Sequence, residues 1–325
     1  MTFARQIMLG LATVVVSAAS YALTVPGPVV DVAWLAKHQS QVQIVEIRSD
    51  VGSFKRQPEI EVNKKTGKKS IIEVGGHIAD ARLIDMKTIR VTRKVGDLSV
   101  QSLIPERADF EKIMQSAGVD AGKPMVLVPM GQSTEDINDA ARLYWQLKVY
   151  GETNMALLDG GVAAWLLSGR EVTQAPVAAK TGTWKAAAEQ TQWLAESAEV
   201  AAQSHRKEQL VDGRPAPMFY GLTKRSTVQS YGHIENAKLV TPDVLTNTVQ
   251  GAAFFFSPKT YASLFAAAGI DASKPTIAYC NTGHLASGAW FVLAEIVGNP
   301  QAKLYDGSMH QWALEKRPTV AVSLN

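Results

Sequence analysis

The sequence predicts an α/β protein made of two similar domains, each a central, mostly parallel sheet flanked by helices. Short apolar runs alternate with helical stretches, the pattern of parallel α/β architecture. The alternation is written twice, at a period of about 150 residues. Setting aside an apolar leader, about 300 residues remain, a length suited to two domains.

Residues 1–22 read as a secretory signal. Arg5 gives the positive start, residues 7–16 a short apolar core, and Ser20-Tyr21-Ala22 small residues at the cleavage positions. The apolar core is shorter than the roughly 20 residues a membrane span needs. Export to a bacterial periplasm is expected, with no stable membrane association after cleavage. A net charge of +3 gives no reason to expect nucleic acid as a partner. With 46% hydrophobic and 19% charged residues, the chain can build ordinary cores. It has one cysteine, so no intramolecular disulfide can form, and an unpaired thiol in an exported chain stands out as reactive.

The duplication is visible in three places. Gly76-His77-Ile78-Ala79-Asp80-Ala81 returns as Gly232-His233-Ile234-Glu235-Asn236-Ala237. Ala117-Gly118-Val119-Asp120 with Lys123-Pro124 returns as Ala268-Gly269-Ile270-Asp271 with Lys274-Pro275. Leu158-Asp159-Gly160-Gly161 with Trp165 returns as Tyr305-Asp306-Gly307-Ser308 with Trp312. This organises the chain into the signal (1–22), a first domain (23–170), a connection poor in periodicity (171–191) and a second domain (192–325). Strands are predicted at 43–47, 82–84, 125–128 and 155–158, and again at 209–212, 238–240, 276–279 and 302–305. Helices at 108–116 and 258–267 precede the central strands; Ser257-Pro258 supplies a cap and a proline at the first helical position. The first copy carries an insert containing Lys64-Lys65-Thr66-Gly67-Lys68-Lys69, read as a solvated turn.

Cys280 ends the apolar run 275–279 and precedes an apolar stretch, 285–297, that reads as a buried helix closed by Gly298. The thiol is therefore expected where a strand gives way to a tight loop and a helix N-terminus. Ligands of parallel sheets bind beyond such strand ends. Unpaired N–H groups there favour an anion and can lower a thiol pKa from about 8.5 into the range of roughly 3.5–7.5. Gly283 gives the loop backbone freedom. Lys123 and Lys274 lie 151 residues apart, and the same offset sets Pro129 against Cys280. One copy carries a nucleophile at this spot and the other does not.

These motifs together resemble the tandem-domain rhodaneses, a sulfurtransferase family. The resemblance rests on Leu210-Val211-Asp212-Gly213-Arg214, Gly232-His233-Ile234, the loop from Cys280 to Leu285, and Tyr305-Asp306-Gly307-Ser308 with Trp312. The first copy, with Val45-Glu46-Ile47-Arg48, resembles the non-catalytic domain of such tandems. The resemblance implies that Cys280 takes a sulfane sulfur as a persulfide and passes it to a thiophilic acceptor, with no cofactor and no metal. The donor would be thiosulfate, 3-mercaptopyruvate or a persulfide; the acceptor a small thiophile or a protein thiol. Asn281, Thr282, Gly283, His284 and Leu285 would cradle the persulfide. Asp212 and Arg214 join them as substrate-binding candidates, with a structural Asp212–Arg214 ion pair as the alternative. Thiosulfate-type members carry basic residues in the loop and a cation four residues beyond the strand arginine; here the loop has only His284 and that position is Met218. A non-enzymatic persulfide carrier is the second reading. A cysteine phosphatase needs an oxyanion-clamping arginine after the thiol, and position 286 is Ala286. The six histidines lack zinc-ligand spacing.

Overall fold

The computed structural model describes residues 23–177 and 180–323. The predicted signal, 1–22, lies outside the described residues.

Each copy builds its own parallel sheet. The first has the order Val29–Val30, Met155–Leu158, Met125–Val128, Gln43–Arg48 and Arg82–Asp85. The second has Ala237–Leu239, Gln209–Asp212, Thr276–Tyr279 and Ala302–Leu304. All pairings within both sheets are parallel. An isolated parallel bridge, Leu194 to Leu304, occupies the place that Val29–Val30 holds in the first sheet. The central strands Met125–Val128 and Thr276–Tyr279 are buried along their whole length, as runs covered by helices on both faces must be.

Two helices lie between the sheets. Thr134–Val149 starts on a capping box, with Ser133 accepting from the Asp136 N–H and Asp136 reaching back to the Ser133 N–H. Twelve of its sixteen residues are buried. It packs on His284–Phe291, which follows Cys280 and runs into a π-helical turn, Val292–Ile296. Gly288 makes the approach possible: a Cβ there would sit 1.8 Å from Asn138 Oδ1. One apolar cluster runs through this contact, joining Val45, Leu127 and Trp145 of the first copy to Ala278, Cys280 and Trp290 of the second. The two copies thus share a core.

The duplication also sets the contacts between copies. Asp159 Oδ1 accepts the Phe255 N–H at 2.9 Å, and Asp306 Oδ2 accepts the Ile104 N–H at 2.8 Å. Each copy uses the Asp that follows its last strand to hold the other's backbone. The Gly-His-Ile segments serve equivalent ends: His77 stacks on Phe54 and pairs in backbone with Thr173, while His233 stacks on Phe219 and pairs with Val320.

Two features differ from the sequence expectation. The stretch after residue 170 is not a free connection. It straps along the first copy, where Gly182, Trp184, Ala187 and Gln190 donate to Gln115, Val119, Tyr150 and Val149, and Trp184 is buried. The insert forms an antiparallel hairpin, Glu59–Val62 with Lys69–Glu73, and a second hairpin, Val91–Val95 with Leu98–Leu103, follows strand Arg82–Asp85 as Asn247–Val249 with Ala252–Phe254 follows Ala237–Leu239 in the second copy. Lys64, Lys65 and Lys68 sit on the exposed turn of the first. The second delivers residues to the site described next.

Candidate active site

Strand Thr276–Tyr279 ends at Cys280, and the chain turns at once into helix His284–Phe291. Gly283 is the pivot, with φ of +76°, in the left-handed region. A Cβ there would lie 2.5 Å from Asp306 Oδ1 and 2.8 Å from the Asp306 carbonyl. Gly283→Ala should therefore destabilise the protein by about 1–3 kcal/mol or more, read from urea unfolding.

Ser308 ties the loop down. Its Oγ accepts the N–H of Cys280 at 3.0 Å and of Gly283 at 3.1 Å, and donates to the Tyr305 carbonyl at 2.8 Å. The Cys280 and Asn281 carbonyls accept from the N–H groups of Met309 and His310. Ser308 itself has φ of +49°, where the first copy has Gly161 at +57°. Serine in place of glycine brings the hydroxyl that organises the loop. The amides of Cys280 and Gly283 are thereby committed, so a cradle for an anion draws on the other loop amides.

Cys280 lines a cavity of about 500 Å³ between the two copies, a size usual for small-ligand sites. Asn281, Thr282, His284 and Leu285 line it as well. The first copy contributes Ser49, Arg90, Ser102, Glu135, Asp136 and Asp139, and the loop after Gln209–Asp212 contributes Arg225, Ser226 and Thr227. Asp212 and Arg214 are not brought to it. Both are buried and bound to each other, Nε–Oδ1 at 2.9 Å and Nη2–Oδ2 at 2.6 Å, and Arg214 also holds the Gly232 carbonyl. The first copy repeats the device with Arg48, Glu46 and the Gly76 carbonyl. The pair therefore braces the Gly-His segment, and its place as a substrate ligand is corrected. Asn281 Nδ2 points at Met218 Sδ, 3.5 Å away.

Positive charge reaches the cavity from elsewhere. Arg90, just ahead of the second hairpin, donates from Nη2 to Thr282 Oγ1 at 2.7 Å. Its Nε is buried without a partner among the described residues. Burial pulls its pKa below the usual guanidinium value and the nearby Arg142 adds to this, while Cys280, Asp306 and Asp139 oppose it. Arg225 is the second cation. At the same cavity His284 Nε2 meets Asp139 Oδ1 at 2.7 Å, and Ser49 Oγ donates to Asp139 Oδ2 at 2.7 Å. Sequence reasoning placed the Cys280 loop but missed Arg90, Arg225, Asp139 and Ser308. Only Ser308 had a signal, as the one departure from Gly in a repeated motif.

A cysteine at a strand end, beside two arginines and an imidazole, is suited to nucleophilic chemistry on a small anionic ligand. Comparison with known proteins agrees. Residues 196–315 match the rhodanese-like domain family. Two bacterial proteins named "Putative thiosulfate sulfurtransferase" align over most of the chain. One, from Saccharopolyspora erythraea, is 32% identical over 244 residues, 73% of this chain and 82% of its own. The other, from Mycobacterium tuberculosis, is 30% identical over 283 residues, 85% of this chain and 90% of its own. The chain belongs to the rhodanese-like sulfurtransferase family. The fold of this sulfurtransferase is shared with the crystal structure of a 3-mercaptopyruvate sulfotransferase, SseA from Escherichia coli, with a TM-score of 0.68 and 22% identity over 87% of this chain and 98% of that one.

Proposed function

We propose that the Cys280 thiolate takes a sulfane sulfur from an anionic donor held by Arg90 and Arg225, and passes it to a thiophilic acceptor. The observation that carries this is the meeting of Cys280 with guanidinium groups from both copies around one cavity. With thiosulfate as donor, the thiolate attacks the outer sulfur. The donor S–S bond breaks, a new S–S bond forms to Sγ, and sulfite leaves with the electron pair. The product persulfide is an anion, which the uncommitted loop amides and the helix N-terminus suit. Leu285 supplies apolar lining, and Thr282 Oγ1, already accepting from Arg90, keeps its own proton to donate. The first copy has Pro129 opposite Cys280, and its loop instead accepts the Ala253 N–H through the Gly131 carbonyl. Its role is to complete the cavity. The pattern of residues 1–22 supports export to the periplasm.

The test is direct. Wild-type protein treated with thiosulfate or 3-mercaptopyruvate and weighed intact should gain one sulfur atom, which cyanide removes. If neither donor adds mass, the reading fails. Removal of the sulfur in repeated turnovers separates an enzyme from a carrier.

Arg90 is placed to bind the donor. Arg90→Ala should raise the KM for thiosulfate about 10–100-fold, the worth of a charge-assisted hydrogen bond of about 1.5–3 kcal/mol, with a smaller change in kcat. Steady-state rates over a thiosulfate series check this; an unchanged KM would contradict the assignment.

A further inference from the structure

The cavity holds a hydrogen-bonded chain that thiosulfate chemistry does not use. Ser49 donates to Asp139, and Asp139 accepts from His284 Nε2, both contacts at 2.7 Å. Asp139 is buried on helix Thr134–Val149, while His284 opens the helix after Cys280. With Nε2–H given to Asp139, the neutral imidazole keeps its lone pair on Nδ1. Among the described residues Nδ1 has no hydrogen-bond partner, and the side chain is 19% exposed beside the cavity. The bond spans 145 residues of sequence and joins the two copies at the reacting loop. An imidazole fixed by a carboxylate, with one nitrogen free toward a nucleophile's cavity, is a proton carrier in position.

Attack of a thiolate on thiosulfate moves no proton. A thiol acceptor is different, because its S–H must be broken and the outer persulfide sulfur is itself negative. We propose that His284 accepts the proton of a thiol acceptor and hands it to the outer sulfur of the Cys280 persulfide, and that Asp139 positions the ring. The acceptor thiolate then attacks that sulfur. The S–S bond to Sγ breaks, Sγ leaves with the electron pair as thiolate, and the product departs as a protonated acceptor persulfide. Atoms, charge and the proton balance without any further reagent. Of the other groups at the cavity, Glu135 is exposed to solvent and makes no hydrogen bond to the Cys280 loop among the described residues. The Asp136 carboxylate is engaged by the N–H groups of Gln132 and Ser133, and Arg90 and Arg225 carry positive charge. The inference rests on the persulfide reading above and adds the groups that carry and position the proton when the acceptor is a thiol.

The experiment uses protein preloaded with sulfur and follows a single discharge. Wild type, His284→Asn, His284→Gln, Asp139→Asn and Asp139→Glu are loaded with thiosulfate, then discharged with cyanide or with glutathione. Cyanide attacks as an anion and brings no S–H. The glutathione rate should fall about 100-fold more than the cyanide rate in both His284 variants. Asp139→Asn should show the same bias at about tenfold, and Asp139→Glu should recover part of it. Equal losses with both acceptors, or no loss in any variant, overturn the assignment while leaving the persulfide reading intact. His284→Gln retains a donor toward Asp139, so a loss there is not the loss of the bond between copies. Failure of wild type to load at all would remove both readings.

Discussion

Cys280→Ser should reduce sulfur transfer to the background rate, a loss of more than about a thousandfold, and should leave no sulfur adduct on the intact protein. Serine keeps the shape of the side chain and every backbone contact of the loop, including the Cys280 N–H to Ser308 and the Cys280 carbonyl to Met309. What it removes is the sulfur nucleophile itself. A hydroxyl is a weak nucleophile without an activating base. It cannot form a persulfide at all. The fold should tolerate the change at a cost of about 1–3 kcal/mol, since the side chain is 1% exposed and the new hydroxyl enters a largely apolar place. Rate with thiosulfate and cyanide, together with a thermal melt, separates the two effects. A variant that melts normally yet keeps a tenth of the wild-type rate would place the chemistry at another residue.

Most of the fold could be read from the chain because it follows local rules. Apolar runs bounded by turn residues became strands at Gln209–Asp212 and Thr276–Tyr279, within a residue of expectation elsewhere. Ser257 with Pro258 opened a helix where capping chemistry said it would. The hairpin Val91–Val95 with Leu98–Leu103 was missed, although Val91, Arg93 and Val95 alternate ahead of a Gly96-Asp97 turn. The site was legible only in its local half. Cys280 and its loop are contiguous in sequence, so a strand–loop–helix pattern is enough to find them. Arg90 and Asp139 come from 192 and 145 residues away in their bonds to Thr282 and His284. Their place depends on how two copies dock, and no periodicity encodes that. The repeat even misleads here. It presents the first copy as a blank counterpart of the second, yet that copy supplies a guanidinium, three carboxylates and two hydroxyls to the cavity.

The docking of the copies makes the largest stability prediction, which concerns Arg142. Its guanidinium is fully buried between the sheets, with Nη1 on Asp306 Oδ1 at 2.5 Å and on the Gly283 carbonyl at 3.4 Å. Nη2 reaches the Ser102 carbonyl at 3.3 Å, and the group lies 4.7 Å from the centre of the Trp145 ring. Asp306 also holds the Ile104 N–H, so one carboxylate joins the end of the last strand of the second copy to the segment that follows hairpin Val91–Leu103 of the first. Arg142→Met keeps most of the volume and leaves that carboxylate almost buried without its cation. Removing one partner of a buried pair costs about 3–5 kcal/mol, because the charge left behind has lost both water and counter-ion. At the sensitivity usual for proteins above 150 residues, this is a fall in Tm of about 6–20 °C. Arg142→Met combined with Asp306→Asn removes the stranded charge and should recover much of the loss, since the amide can still accept from Ile104 through its oxygen. Additive losses in the double variant would show that the buried bulk of the Arg142 side chain, and not its charge, holds the copies together at this point. The distinction matters for activity because Arg142 touches Gly283. If the ion pair sets the loop, the single variant should lose sulfur loading at temperatures well below its melting point, and the double variant should regain it.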